Sequence, residues 1–135
     1  MQVSTKGRYA LRFLIDLCQH QADGVISLKS VAERQGISKK YLERIVTLLA
    51  PSGMLHITRG SQGGYQLARL PKDITVAEVL RLTEGGLEPV PYAEIGEDDI
   101  TRGVWTKLED AIVTCLEGIT LQDILDDYAP IEYYI

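Results

Sequence analysis

Two histidines, two cysteines and nineteen acidic residues are the reactive groups on which any chemistry of this 135-residue chain must rest. His20 and His56 stand apart from any serine or cysteine in the arrangement that nucleophilic catalysis needs. Cys18-Gln19-His20 is a weak ligand pair, and zinc takes three or four donors from the protein. The glycine cluster 60–64 does not precede a helix, so it does not read as a phosphate cradle. Nothing here predicts an enzyme. The cysteines are too few and too far apart for a disulfide framework, and both read as buried thiols in a reduced, cytoplasmic protein. No apolar stretch approaches the roughly 18 residues of a membrane span.

The cations tell more. Lys39, Lys40 and Arg44 lie within six residues, and Arg59 and Gln62 bracket a glycine-rich stretch. The net charge of −5 conceals a division. Residues 1–72 hold eleven Lys and Arg against four acids, a balance of +7, whereas residues 73–135 carry −12. A basic half joined to an acidic remainder predicts a polyanion partner for one part of the chain only. A single lysine reads as ordinary solvated surface; a clustered set on two adjacent elements points to DNA.

Those elements follow from periodicity. Residues 5–21 predict a helix with Ala10, Phe13, Leu14, Leu17 and Cys18 inward and Arg8, Arg12 and Asp16 on the opposite face. Ser27 caps a short helix that Gly36 stops, and Ser38 caps a second with Leu42, Ile45, Val46 and Leu49 as its core stripe. Two helices separated by three residues form a helix-turn-helix. Residues 54–59 and 65–69 alternate as strands, with Leu55 and Ile57 on one face, around a glycine-rich turn. The predicted fold is mainly α with a small β-hairpin: a winged helix-turn-helix domain (1–72), a linking helix and acidic loop (73–101), and a long dimerisation helix, short helix and tail (102–135). Val104, Leu108, Ala111, Ile112, Cys115 and Ile119 form a stripe at coiled-coil-like spacing that requires a packing partner.

Ser4-Thr5-Lys6-Gly7-Arg8-Tyr9-Ala10, the 38–44 segment with Tyr41-Leu42-Glu43, and Arg59-Gly60 followed by Gly63-Gly64-Tyr65 resemble the Rrf2 family of bacterial transcription regulators over residues 2 to about 128. The resemblance implies a homodimeric repressor that binds palindromic operators. Candidate DNA contacts are then Lys6, Lys29, Ser38, Lys39, Lys40, Tyr41, Glu43, Arg44, Arg59, Gly60, Ser61, Gln62, Gly63, Gly64 and Tyr65. Many members hold an iron–sulfur cluster with three cysteines in the loop before the dimer helix. Here residues 89–99 contain none, so no cluster or other cofactor is expected. The chain resembles the family's clusterless cysteine-metabolism repressors (the CymR type). That likeness implies a second partner, cysteine synthase, engaged through the tail residues Tyr133, Tyr134 and Ile135; the plainer alternative packs this tail on its own domain. Two rival functions are a protein-interaction module that kept the fold without DNA readout, and a redox- or iron–sulfur-linked regulator of the same family.

Overall fold

The structure is a computed structural model that describes residues 2–128. It is built from helices α1 (Thr5–Gln19), α2 (Leu28–Gln35) and α3 (Lys39–Leu49), strands β1 (Leu55–Thr58) and β2 (Gly64–Leu67), and helices α4 (Val76–Glu84), α5 (Arg102–Glu117) and α6 (Leu121–Asp127). Five of the six helices open on a Ser or Thr whose side chain accepts a backbone N–H of the first turn: Ser4, Ser27, Ser38, Thr75 and Thr120. Each satisfies a donor the helix itself cannot. Gly36, at φ 65°, closes α2 in the left-handed region, which lets the chain turn into α3 within three residues.

The core is one cluster. Phe13, Leu14 and Leu17 of α1 meet Val31 of α2 and Leu42, Ile45 and Leu49 of α3, with Met54, Ile74 and Val79 completing it. Leu121 reaches the same cluster from the far end of the chain. The hairpin is antiparallel, pairing Leu55 with Leu67 and Thr58 with Gly64. A third segment joins it: Ile26 and Tyr65 exchange backbone bonds of 3.0 and 2.7 Å. A second isolated bridge links Thr75 to Thr120, through Val76 N–H to Ile119 O (2.8 Å) and Leu121 N–H to Ile74 O (3.0 Å).

Three expectations are corrected. Asp16 is not on the solvent face of α1; it is 1% exposed. Arg34 holds it through two bonds, Nε to Oδ2 at 3.0 Å and Nη2 to Oδ1 at 2.7 Å, and Gln35 Nε2 adds a third at 3.0 Å. Burial pushes this carboxyl up, but those bonds and the guanidinium charge outweigh it and hold it below its usual range. Ile57, expected beside Leu55 on the inward face, is 41% exposed, because the hairpin leaves the core after its first inward residue. Cys115 is exposed, since α5 buries no residue in the protomer. Cys18 is buried, and desolvation pushes its thiol up to about 11.

Candidate nucleic-acid interface

The amino end of α3 and the hairpin turn face a common cleft of about 470 Å³. Lys29, Lys39, Glu43, Arg59, Gly60, Ser61, Gly63, Gly64 and Tyr65 line it, so three helices or turns contribute to one surface. The core stripe of α3 dictates this. With Leu42, Ile45, Val46 and Leu49 inward, Lys39, Lys40, Glu43, Arg44 and Thr47 are left exposed. Residues near the start of such a helix reach base edges in a groove about 12 Å wide, while a neighbouring wing meets the backbone.

Not every cation of the basic half is available. Arg34 is committed to Asp16. Arg69 pairs with Glu78 at 2.5 Å and donates to Asp73 O at 2.6 Å. Lys29, Lys39, Lys40, Arg44 and Arg59 are all exposed and, among the described residues, none forms a salt bridge. This separates cations that hold the fold from cations that stay exposed outside any salt bridge of the described residues.

The sequence-derived candidates do not all converge. Lys40, Arg44 and Gln62 are exposed but do not line the cleft. Ser38 is engaged as the cap of α3. Tyr41 is half-buried, its ring edge-on to Tyr9 at 5.6 Å, which seats α3 on α1. Tyr65 turns its ring onto Phe13 at 6.0 Å, leaving only part of it at the cleft. Lys6 belongs elsewhere. Its charge acts on Glu84 at the end of α4, where Ser4 also donates its N–H (2.7 Å) and hydroxyl (2.6 Å).

The paired glycines have an architectural reason. A Cβ on Gly63 would lie 2.0 Å from Thr58 O, and one on Gly64 would lie 2.3 Å from Ile26 O. The turn closes, and the third segment reaches Tyr65, only if both positions lack a side chain. Sequence reasoning missed Ser27, Leu28, Ile57 and Thr58, which line the same cleft. The first two were legible only as a helix start. Thr58 is marked by nothing but its neighbour Arg59.

A resident iron–sulfur cluster does not fit these residues. The loop between α4 and α5 supplies no thiolate, Cys18 is buried within α1, and Cys115 lies on α5. Among the described residues no group of three His, Cys, Asp or Glu could hold a metal ion. No helix among them is long and apolar enough to cross a membrane.

Comparison with known proteins adds to this geometry. Residues 3–127 match the family Rrf2, described as "Iron-dependent Transcriptional regulator". The HTH-type transcriptional regulator CymR of Bacillus subtilis (strain 168) is 38% identical over 124 residues, spanning 92% of this chain and 89% of the relative. The solved structure of CymR (YrzC), the global cysteine regulator of B. subtilis, superposes with a TM-score of 0.84 at 36% identity, covering 96% of this chain and 99% of that one. T. potens IscR superposes at 0.78 and 38% identity, covering 100% and 97%.

Proposed function

The chain belongs to the Rrf2 family of winged helix-turn-helix transcription regulators, and from that premise we propose that it is a homodimeric repressor of cysteine and sulfur metabolism acting on palindromic operators. The carrying observation is the cleft between α3 and the hairpin, where Lys29, Lys39 and Arg59 meet with no acidic partner bridging them among the described residues. Arg59 and the turn backbone touch phosphate, while the exposed start of α3 enters the major groove. Glu43, the single acid lining the cleft, disfavours indiscriminate phosphate binding and suits a cytosine amino group.

The dimer reading is supported by α5, which leaves Val104 57% and Leu108 38% exposed on one stripe with Ala111 and Cys115. A helix with no buried residue in its own protomer needs another surface. Two-fold pairing along that stripe sets two reading heads on half-sites separated by one or more turns of about 10–10.5 base pairs. Sulfur control is supported by the likeness to a regulator described as the global cysteine regulator. On the same footing, the aromatic segment with Tyr133, Tyr134 and Ile135, which lies outside the described residues, is assigned to cysteine synthase.

The test is a titration against DNA from upstream of the chain's own gene at rising salt. Each phosphate neutralised contributes about −0.9 to the log–log slope. Sequence-specific binding with a steep slope is expected, and a complex indifferent to salt refutes the assignment. Leu108→Asp, which would bury a charge in the seam, is expected to sediment as a monomer. Deleting Ile135 is expected to abolish binding of cysteine synthase and leave operator binding intact.

A further inference from the structure

Tyr41 stands apart in the first turn of α3. Lys39 and Lys40 are exposed and Leu42 is buried in the core stripe, whereas Tyr41 is half-buried beside that stripe and outside the cleft. Its ring meets that of Tyr9 at 5.6 Å with the planes 72° apart, an edge-to-face contact. The Tyr9 ring also carries two cations: the Arg12 guanidinium lies 5.2 Å from its centroid and that of Arg8 5.9 Å. Arg12 is itself tied down, donating through Nε to Gln35 Oε1 (3.1 Å) and through Nη2 to the Gln35 backbone O. Gln35 is the last residue of α2, immediately before the turn at Gly36, and its Nε2 donates to the buried Asp16 carboxylate. Resting on the reading of α3 as the DNA-recognition helix, we propose that Tyr9 and Arg12 are positioning residues for operator recognition. Their brace, from the end of α2 through the Tyr9 ring to Tyr41, fixes the roll of α3 and so sets discrimination between operator and other DNA, without touching DNA.

The core stripe alone leaves one freedom open. Leu42, Ile45, Val46 and Leu49 run along a single face, so they pin α3 along a line, and resistance to roll comes from contacts beside that line. In the first turn of α3 that contact is Tyr41. Side-chain tips lie ~5–6 Å from a helix axis, so a roll of about 10° carries Lys40, Glu43 and Arg44 about 1 Å sideways. A hydrogen bond to a base edge occupies only about 2.7–3.2 Å, and a shift of that size breaks it. A long cationic side chain on a phosphate follows the same shift by changing rotamer. Roll therefore costs base readout before it costs phosphate attraction.

Arg12 belongs to the basic half and is exposed, so its charge alone would mark it as a phosphate contact. Its geometry marks it differently. Two of its donors are spent on Gln35 and its guanidinium lies against Tyr9, which commits it to the α1–α2–α3 junction. The contacts of Tyr9 with Arg12 and Tyr41 are contacts of its ring, so a phenylalanine in its place keeps both.

Fluorescence anisotropy with the full chain and two labelled duplexes tests this: DNA from upstream of the chain's own gene, and a shuffled duplex of the same composition, each at several salt concentrations. Tyr9→Leu and Arg12→Gln are each expected to weaken binding to the first duplex at least about tenfold and to leave the shuffled duplex within about twofold. Both are expected to keep the parent's log–log salt slope. Tyr9→Phe is expected to match the parent. Combining Tyr9→Leu with Arg12→Gln is expected to lose no more than Tyr9→Leu alone, because both act through one contact. Arg12→Gln changes an exposed side chain, so it decides the matter where Tyr9→Leu lowers the melt. Equal weakening on both duplexes, a slope shallower by about 0.9 in Arg12→Gln, or a Tyr9→Phe chain that behaves as Tyr9→Leu overturns the proposal. A parent chain that binds both duplexes alike refutes the operator-recognition reading on which the brace rests, so the two failures are told apart.

Discussion

Arg34→Ala is the substitution that most directly probes how the reading head is held. The side chain joins α2 to α1 through its two bonds to Asp16. Removing it leaves a carboxylate 1% exposed, with Gln35 as its only remaining donor among the described side chains. Breaking a buried ion pair costs about 3–5 kcal/mol. Arg34 itself keeps 34% of its side chain in solvent and Gln35 still donates, so the cost falls below that range, at about 2–3 kcal/mol. At roughly 4 °C per kcal/mol for a domain of this size, the melt should fall by about 8–12 °C at fixed protein concentration. The pH dependence carries the sign. In the parent, the lowered Asp16 value means that its contribution is present above the ordinary carboxylate pKa of 3.8 and is lost as pH falls through the folded value. In Arg34→Ala, burial acts without its counterweight and raises the folded value. The variant's native state is then favoured as acid is added, and the gap between the two proteins narrows. Adding Asp16→Asn to Arg34→Ala should recover at least about 1 kcal/mol, because the stranded charge is gone. Denaturant titrations at pH 7 and pH 4 decide it. A cost below about 0.5 kcal/mol, or one that neither acid nor Asp16→Asn reduces, refutes the argument.

Three further outcomes are expected. Gly64→Ala drives a Cβ against Ile26 O, so the bridge to Tyr65 should open, with faster hydrogen exchange at Ile26 and Tyr65 and at least tenfold weaker operator binding. Arg59→Ala should weaken binding to all DNA sequences and make the salt slope shallower by about 0.9, measured by anisotropy, whereas Arg69→Ala, whose charge is tied to Glu78, should leave the slope unchanged. Cys18, with its thiol pushed up to about 11, should resist iodoacetamide at pH 8, and Cys115 should react faster in Leu108→Asp than in the parent chain, read by mass spectrometry.

The local grammar of this fold was legible in the chain. Ser27 before an apolar repeat, Gly36 after it and Ser38 two residues on define a helix-turn-helix without any long-range information, because caps and left-handed stops act over three or four residues. Alternation from Leu55 to Ile57 fixed which way side chains point, not how deep they go. Depth depends on where the core ends, so Ile57 emerged into solvent. Asp16 was misplaced for a related reason: its partners Arg34 and Gln35 are 18 and 19 residues away, and a helical wheel counts an aspartate as outward. Residue type alone singled out Lys39 and Arg59, which line the cleft. It could not show that Tyr41 packs on Tyr9, that Tyr65 both lines the cleft and packs on Phe13, or that Lys6 acts on Glu84, because those contacts join distant segments.

The bridge between Thr75 and Thr120 fastens the end of α5 to the start of α4 by two main-chain bonds, and Arg102 at the other end of α5 donates to Ile95 O (2.9 Å) and Gly96 O (3.4 Å) of the loop that precedes it. Held at its carboxyl end, α5 behaves as the graduated bar of a caliper. Its rotational phase is locked to the jaws, so in the proposed dimer the distance and twist between half-sites are built into one rigid rod rather than adjusted by a hinge. Inserting a single residue between 104 and 117 would turn the apolar stripe by about 100° and slide it ~1.5 Å relative to the reading head. The gauge would then be cut for a different operator, or for none, with every side chain that lines the cleft still intact.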